Sequence, residues 1–102
     1  MNIVHVVESQ ALGGLERVVA SLAKIQMRQG HRIRILCLFD EGVLAAQVRA
    51  AGGEVIVCHK AAGLDAGALW TMRHGVKSFR ADAVHTHNAV AHYYAALATV
   101  GL

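Results

Sequence analysis

The sequence predicts an α/β fold, a parallel sheet wound with helices on both faces, and three observations predict it. Short apolar runs alternate four times with longer stretches whose apolar residues recur every three or four positions. The short runs are apolar almost throughout rather than alternating with polar residues, as strands covered on both faces are. Proline is absent, and glycine alone punctuates the chain.

Ile3 to Val7, broken only by His5, reads as the first strand and ends in polar Glu8-Ser9-Gln10. A glycine-rich loop follows, Ala11-Leu12-Gly13-Gly14. Leu15, Val18, Val19, Leu22 and Ala23 then fall at helical spacing, and Gly30 is placed to end that helix. Arg32 to Phe39 is the second strand. Asp40-Glu41-Gly42 is a turn, with Asp40 as a candidate cap for a short helix from Val43 to Ala51. Gly52-Gly53 leads into a third strand, Glu54 to Cys58. Leu64-Asp65 opens a third helix carrying the stripe Leu69, Met72, Val76 and Phe79. Ala83 to His87 is the fourth strand, and Val90, Tyr93, Tyr94, Leu97 and Ala98 mark the last helix, with at least one tyrosine in the core.

Right-handed crossovers between parallel strands lead to the sheet order 3-2-1-4, an incomplete doubly wound sheet in a three-layer α/β/α arrangement. The order reverses between strands one and four. Ligands of such folds bind there, outside the carboxyl ends of the strands. The Gly13-Gly14 loop and the His87-Asn88 loop flank that point. The fourth strand is left as an apolar edge, which favours self-association, and the chain reads as a fragment, a truncated gene product or a piece that pairs with something else.

Composition narrows the function classes. The net charge of +3 is too small to indicate nucleic acid, and no aromatic residues interleave the basic ones. Lys24, Arg28, His31, Arg32 and Arg34 cluster, either as a solvated helix end that complements the helix dipole or as a patch for anionic lipid headgroups. The first residues lack the basic region of a signal peptide, and no apolar run is long enough to span a bilayer. The expected location is the cytoplasm, with peripheral contact to the inner face of the membrane left open. Cys37 and Cys58 fit no zinc spacing and are expected as buried thiols.

Two segments carry chemistry. In Gly13-Gly14-Leu15-Glu16, glycine lets the backbone approach a phosphate and the helix start favours an anion; a tight turn is the alternative. The loop matches neither G-x-G-x-x-G nor a P-loop. In His85-Thr86-His87-Asn88, residues two apart share a strand face. His87 ends its strand at the crevice and is the candidate catalytic residue, whereas His85 is expected as a hydrogen-bonded core histidine. A hydrolase metal site using His85, His87 and His92 is a further reading, but the ligand count is poor, so no metal is assigned. His5, His31, His59 and His74 show no metal-ligand spacing and receive no role.

These residues resemble the opening of glycosyltransferase family 4. The resemblance runs in order through Asn2-Ile3-Val4-His5-Val6-Val7-Glu8-Ser9, Gly13-Gly14-Leu15-Glu16-Arg17-Val18-Val19, Gln29-Gly30-His31, Ala51-Gly52-Gly53-Glu54-Val55, Gly63-Leu64-Asp65 and Asp82-Ala83-Val84-His85-Thr86-His87-Asn88. It implies a GT-B fold of two Rossmann-like domains, with residues 1–102 as part of the N-terminal, acceptor-side one. By position, Gly14 would offer its N–H to the donor diphosphate and Gly13 would allow the approach. Glu16 would sit near the acceptor, and Asn88 belongs to the same acceptor and sugar site. His87 would lie beside the transferred sugar, bonding a hydroxyl or placing the acceptor. The implied reaction is retaining transfer from a nucleotide-sugar donor to a glycan, lipid or small-molecule acceptor, without metal or other cofactor. Ala81 replaces the usual proline, which affects only turn rigidity. The paired-glutamate motif and the donor domain are absent, so the chain alone is expected to be inactive. A half-Rossmann module that binds a nucleotide or a partner protein is the non-enzymatic alternative.

Overall fold

The computed structural model describes residues 1–9, 14–61, 64–87 and 89–102. It contains β1 (Asn2–Val7), α1 (Gly14–Arg28), β2 (Arg32–Cys37), α2 (Ala45–Ala50), β3 (Glu54–Val57), α3 (Ala66–Ser78), β4 (Ala83–Thr86) and α4 (Ala89–Ala98). All strands are parallel, in the order β3-β2-β1-β4, as the alternation of apolar runs and helical stripes predicts. Strand ends fall within two residues of the predicted ones. Ladder-like bonds run past them, from Leu38 N–H to Val7 O and from His87 N–H to Val6 O.

Because β1 and β2 lie inside the sheet, their side chains must be apolar on both faces, and alternate residues enter two separate cores. Val4, Val6, Leu36 and Leu38 pack with Met72, Val76, Phe79, Tyr94 and Ala95 of the α3–α4 layer. Ile3, Val7, Ile35 and Cys37 pack with Val19, Ala20, Ala23 and Val48 of the α1–α2 layer. Tyr94 is the core tyrosine and Tyr93 is exposed. The Tyr94 hydroxyl accepts the backbone N–H of Asp65 at 3.1 Å, which satisfies its buried polar end.

The chain reverses where local chemistry allows it. Gly30, at φ 91°, takes the left-handed turn that ends α1. Asp65 caps α3, its carboxylate accepting from Ala68 N–H at 3.1 Å and from Ala61 N–H at 2.7 Å. The bonds from Ala61 and Ala68 hold that carboxyl below the usual range. Asp40 does not cap α2. That helix begins later than Val43, with Leu44 at the cap position and no side-chain cap bond. The connection after β2 therefore takes more residues than the turn Asp40-Glu41-Gly42 alone.

The basic cluster near the start of β2 is largely occupied within the fold. Arg34 donates to Glu54, to the Gly75 carbonyl and to the Ser78 hydroxyl, and its guanidinium lies 4.5 Å from the centre of the Phe79 ring. Arg32 also stacks on Phe79, and Lys24 donates to Gln47. These residues join β2, β3, α1, α2 and α3 more than they form an open cationic face. Among the described residues β4 pairs only with β1, which leaves the expected apolar edge, with Val84 38% exposed. No helix among them is long and apolar enough to cross a membrane.

Helix α3 comes close to the sheet at Gly75. A Cβ placed there would stand 2.8 Å from Cδ2 of the fully buried Leu36. Gly75→Val should therefore overpack the α3–α4 core and destabilise the fold by about 2–3 kcal/mol. Urea unfolding checks this as a lower midpoint at unchanged slope.

Candidate functional site

The site grows out of the β1–β4 pair. Asn2 N–H donates to the Asp82 carboxylate and Asp82 N–H donates to Asn2 O, both at 2.7 Å, which sets the two strands in register from their first residues. In that register His5 stands opposite His85. The two-residue period of β4 brings His87 to the same face, just past the strand end. The ring centroids are 5.4 Å apart for His5 and His85, 5.1 Å for His5 and His87, and 4.1 Å for His85 and His87. His5 is fully buried, His87 half-buried and His85 exposed.

A buried imidazole must place its polar atoms. His5 Nε2 lies 2.7 Å from the side-chain oxygen of Gln26 on α1, and His5 Nδ1 lies 2.9 Å from His87 Nε2. An amide oxygen only accepts, so His5 carries its proton on Nε2 and Nδ1 is a lone pair. His87 then donates its Nε2–H to that lone pair. Its own Nδ1 is left as the lone pair that faces away from His5. Gln26, His5 and His87 thus form a directed column from the first helix to the rim of the sheet.

Electrostatics keep the column neutral. Burial lowers the pKa of His5, against the raising effect of the Gln26 bond, and His85 lowers it further. Burial, then His85, then His5, push His87 down to about 4. At neutral pH His87 is therefore a neutral hydrogen-bond acceptor at the carboxyl end of the sheet, not a cation.

His85 departs from expectation: it sits on the open edge strand, and the core histidine is His5. His92 also departs, standing apart from the cluster with Nδ1 3.0 Å from the Thr86 hydroxyl. The group that sequence spacing assembled as His85, His87 and His92 is in fact His5, His85 and His87. A signal for His5 was present, since a lone polar residue inside a doubly covered strand needs a partner and the predicted order sets strand one beside strand four.

Gly14 opens α1 and Glu16 lies in its first turn. Both follow β1 at the same end of the sheet where His87 follows β4. Gly13 and Asn88 lie outside the described residues. A cavity of about 530 Å³ lined by Trp70, Arg73, His74, Lys77, Ser78 and Arg80 shares no residue with this site. The family model of glycosyltransferase family 4 matches residues 12–101, which include His85 and His87. No curated protein and no solved structure matches the chain.

A histidine with a lowered folded pKa binds its proton more weakly folded than unfolded. Its contribution to stability is complete above the unfolded value and is lost as pH falls from about 6.5 towards 4. Urea midpoints should fall across that window, and His87→Asn should flatten the fall. In NMR titration the His87 ring should stay neutral well below pH 6.5 and take up its proton only near pH 4.

Proposed function

The chain belongs to glycosyltransferase family 4, and we propose that it forms the acceptor side of an enzyme that moves a sugar from a nucleotide-sugar donor to a glycan, lipid or small-molecule acceptor, with retention of configuration. The observation that carries this reading is the neutral His87 at the reversal of strand order, its tautomer set by His5 and Gln26. An acceptor nitrogen there suits a sugar hydroxyl, which donates a hydrogen bond, and it brings no charge that would compete for the donor diphosphate.

In this reading His87 bonds a hydroxyl of the transferred sugar or helps to place the acceptor, and Asn88 lies in the same acceptor and sugar site. Glu16 faces the acceptor. Gly14 turns its backbone N–H, at the start of α1, to the diphosphate, while Gly13 allows the approach. Among the described residues a Cβ built on Gly14 meets nothing within 4 Å, so the start of α1 has open space beside its backbone in which a diphosphate fits. The transfer itself needs no metal, because the helix start and cationic side chains of a donor-binding domain offset the leaving diphosphate. The free, buried Cys37 and Cys58 fit a reducing cytoplasmic setting.

The test is a transfer assay on the complete gene product with a panel of nucleotide-sugars. His87→Ala should lower transfer about ten- to a hundredfold, the worth of one or two strong hydrogen bonds, with circular dichroism confirming that the protein still folds although the buried His5 Nδ1 loses its donor. Gly14→Val should fold normally and raise the KM for the donor. Undiminished transfer in both variants would remove the roles given to these residues, and no transfer with any donor would remove the reading.

A further inference from the structure

We propose that His5, His85 and His87 bind a divalent first-row transition ion of the zinc class. One ring nitrogen from each histidine lies within 4.8 Å of those of the others. The closest pair, His5 Nδ1 and His87 Nε2, stands at 2.9 Å, against about 3.3 Å between two nitrogens that share a tetrahedral zinc at its usual bond length. Opening that pair takes a small ring movement. His85 closes the set by a side-chain rotation, for which its exposed position on the edge strand leaves room.

Three features mark a binding site rather than chance proximity. The His5 Nε2–H is already held by the Gln26 oxygen at 2.7 Å. This is the outer bond that ligating histidines use to fix their tautomer and aim the other nitrogen at the ion. His85 makes no hydrogen bond among the described residues, so a ring with ligand capacity stands beside the pair. The ligands also grade from fully buried His5 to exposed His85, which gives an access route and a coordination position open to water. Three neutral imidazoles with no carboxylate suit zinc, copper, nickel or cobalt rather than magnesium or calcium. On binding, His87 moves its proton from Nε2 to Nδ1 through solvent and remains neutral.

The proposal stands on the three histidines alone; a bound ion takes His87 Nε2 and leaves the proton on Nδ1, so the metal-bound form of His87 and the sugar-binding form proposed above exclude each other. It also differs from a hydrolase site, since His92 takes no part and His5 does. The experiment titrates the purified chain with Zn²⁺ by calorimetry and with Co²⁺ by visible absorption. The expected result is one ion per chain and an intense cobalt spectrum of low coordination number, both lost in His85→Ala and in His87→Ala. His85 is exposed and His87 half-buried, so circular dichroism should report both variants folded. Gln26→Ala should bind about ten- to a hundredfold more weakly. No binding, a weak octahedral cobalt spectrum, or an ion retained after either histidine substitution overturns the proposal. Unchanged affinity in Gln26→Ala overturns the orienting role of Gln26. Because the readout is the ion, a negative result leaves the sugar-transfer reading untouched.

Discussion

Strand β1 is bonded along both edges, to β2 on one side and to β4 on the other, and nearly every other feature follows from that position. A strand so placed has no solvent face, so its residues divide between two dry cores and each polar group in it must find an internal partner. Among the described residues His5 is the one polar residue with a fully buried side chain. It finds a helix amide on one side and a second imidazole on the other. Where β1 meets β4 the sheet order reverses, the place at which folds of this kind bind their ligands. The constraint that shapes the core therefore also places the chemistry.

The Gln26–His5–His87 column is how the interior reaches that end of the sheet. A rim histidine on a loop would sample several rotamers and both tautomers. Here one tautomer is set by an acceptor that lies two rings away on α1, and the middle ring cannot turn because it is fully packed. The same arrangement leaves His85 as a third ring beside the pair, in contact with both rings and making no hydrogen bond among the described residues. The site is thus rigid at its root and adjustable at its edge.

Much of this was legible in the sequence because it depends on period and punctuation. Continuous apolar runs marked the strands, steps of three and four marked α1 and α3, and parallel crossovers ordered the sheet. The shared face of His85 and His87 followed from the two-residue period. The misreadings were of another kind. Asp40 had the chemistry of a cap but not the position, because the backbone path from β2 to α2 decides where the helix starts. His85 was assigned to the core because its neighbours are apolar, yet Val84 is itself part of an open edge. Burial of a strand residue depends on what lies beside the strand, which local pattern does not encode. His5 went unassigned for the same reason, its partners being 21 and 82 positions away along the chain.

The two thiols sit on opposite sides of the sheet, Cys37 in the core beneath α1 and α2 and Cys58 in the core beneath α3 and α4. Burial raises both, Cys37 to about 12 and Cys58 to about 11, so neither is a useful nucleophile while its layer is closed. Each is therefore a natural reporter for one layer alone. Under an alkylating reagent, the rate at which each sulfur is modified would clock the opening of its own side of the sheet. Mass spectrometry of the two peptides would then show whether the layers part together or one at a time, with no label introduced into the molecule.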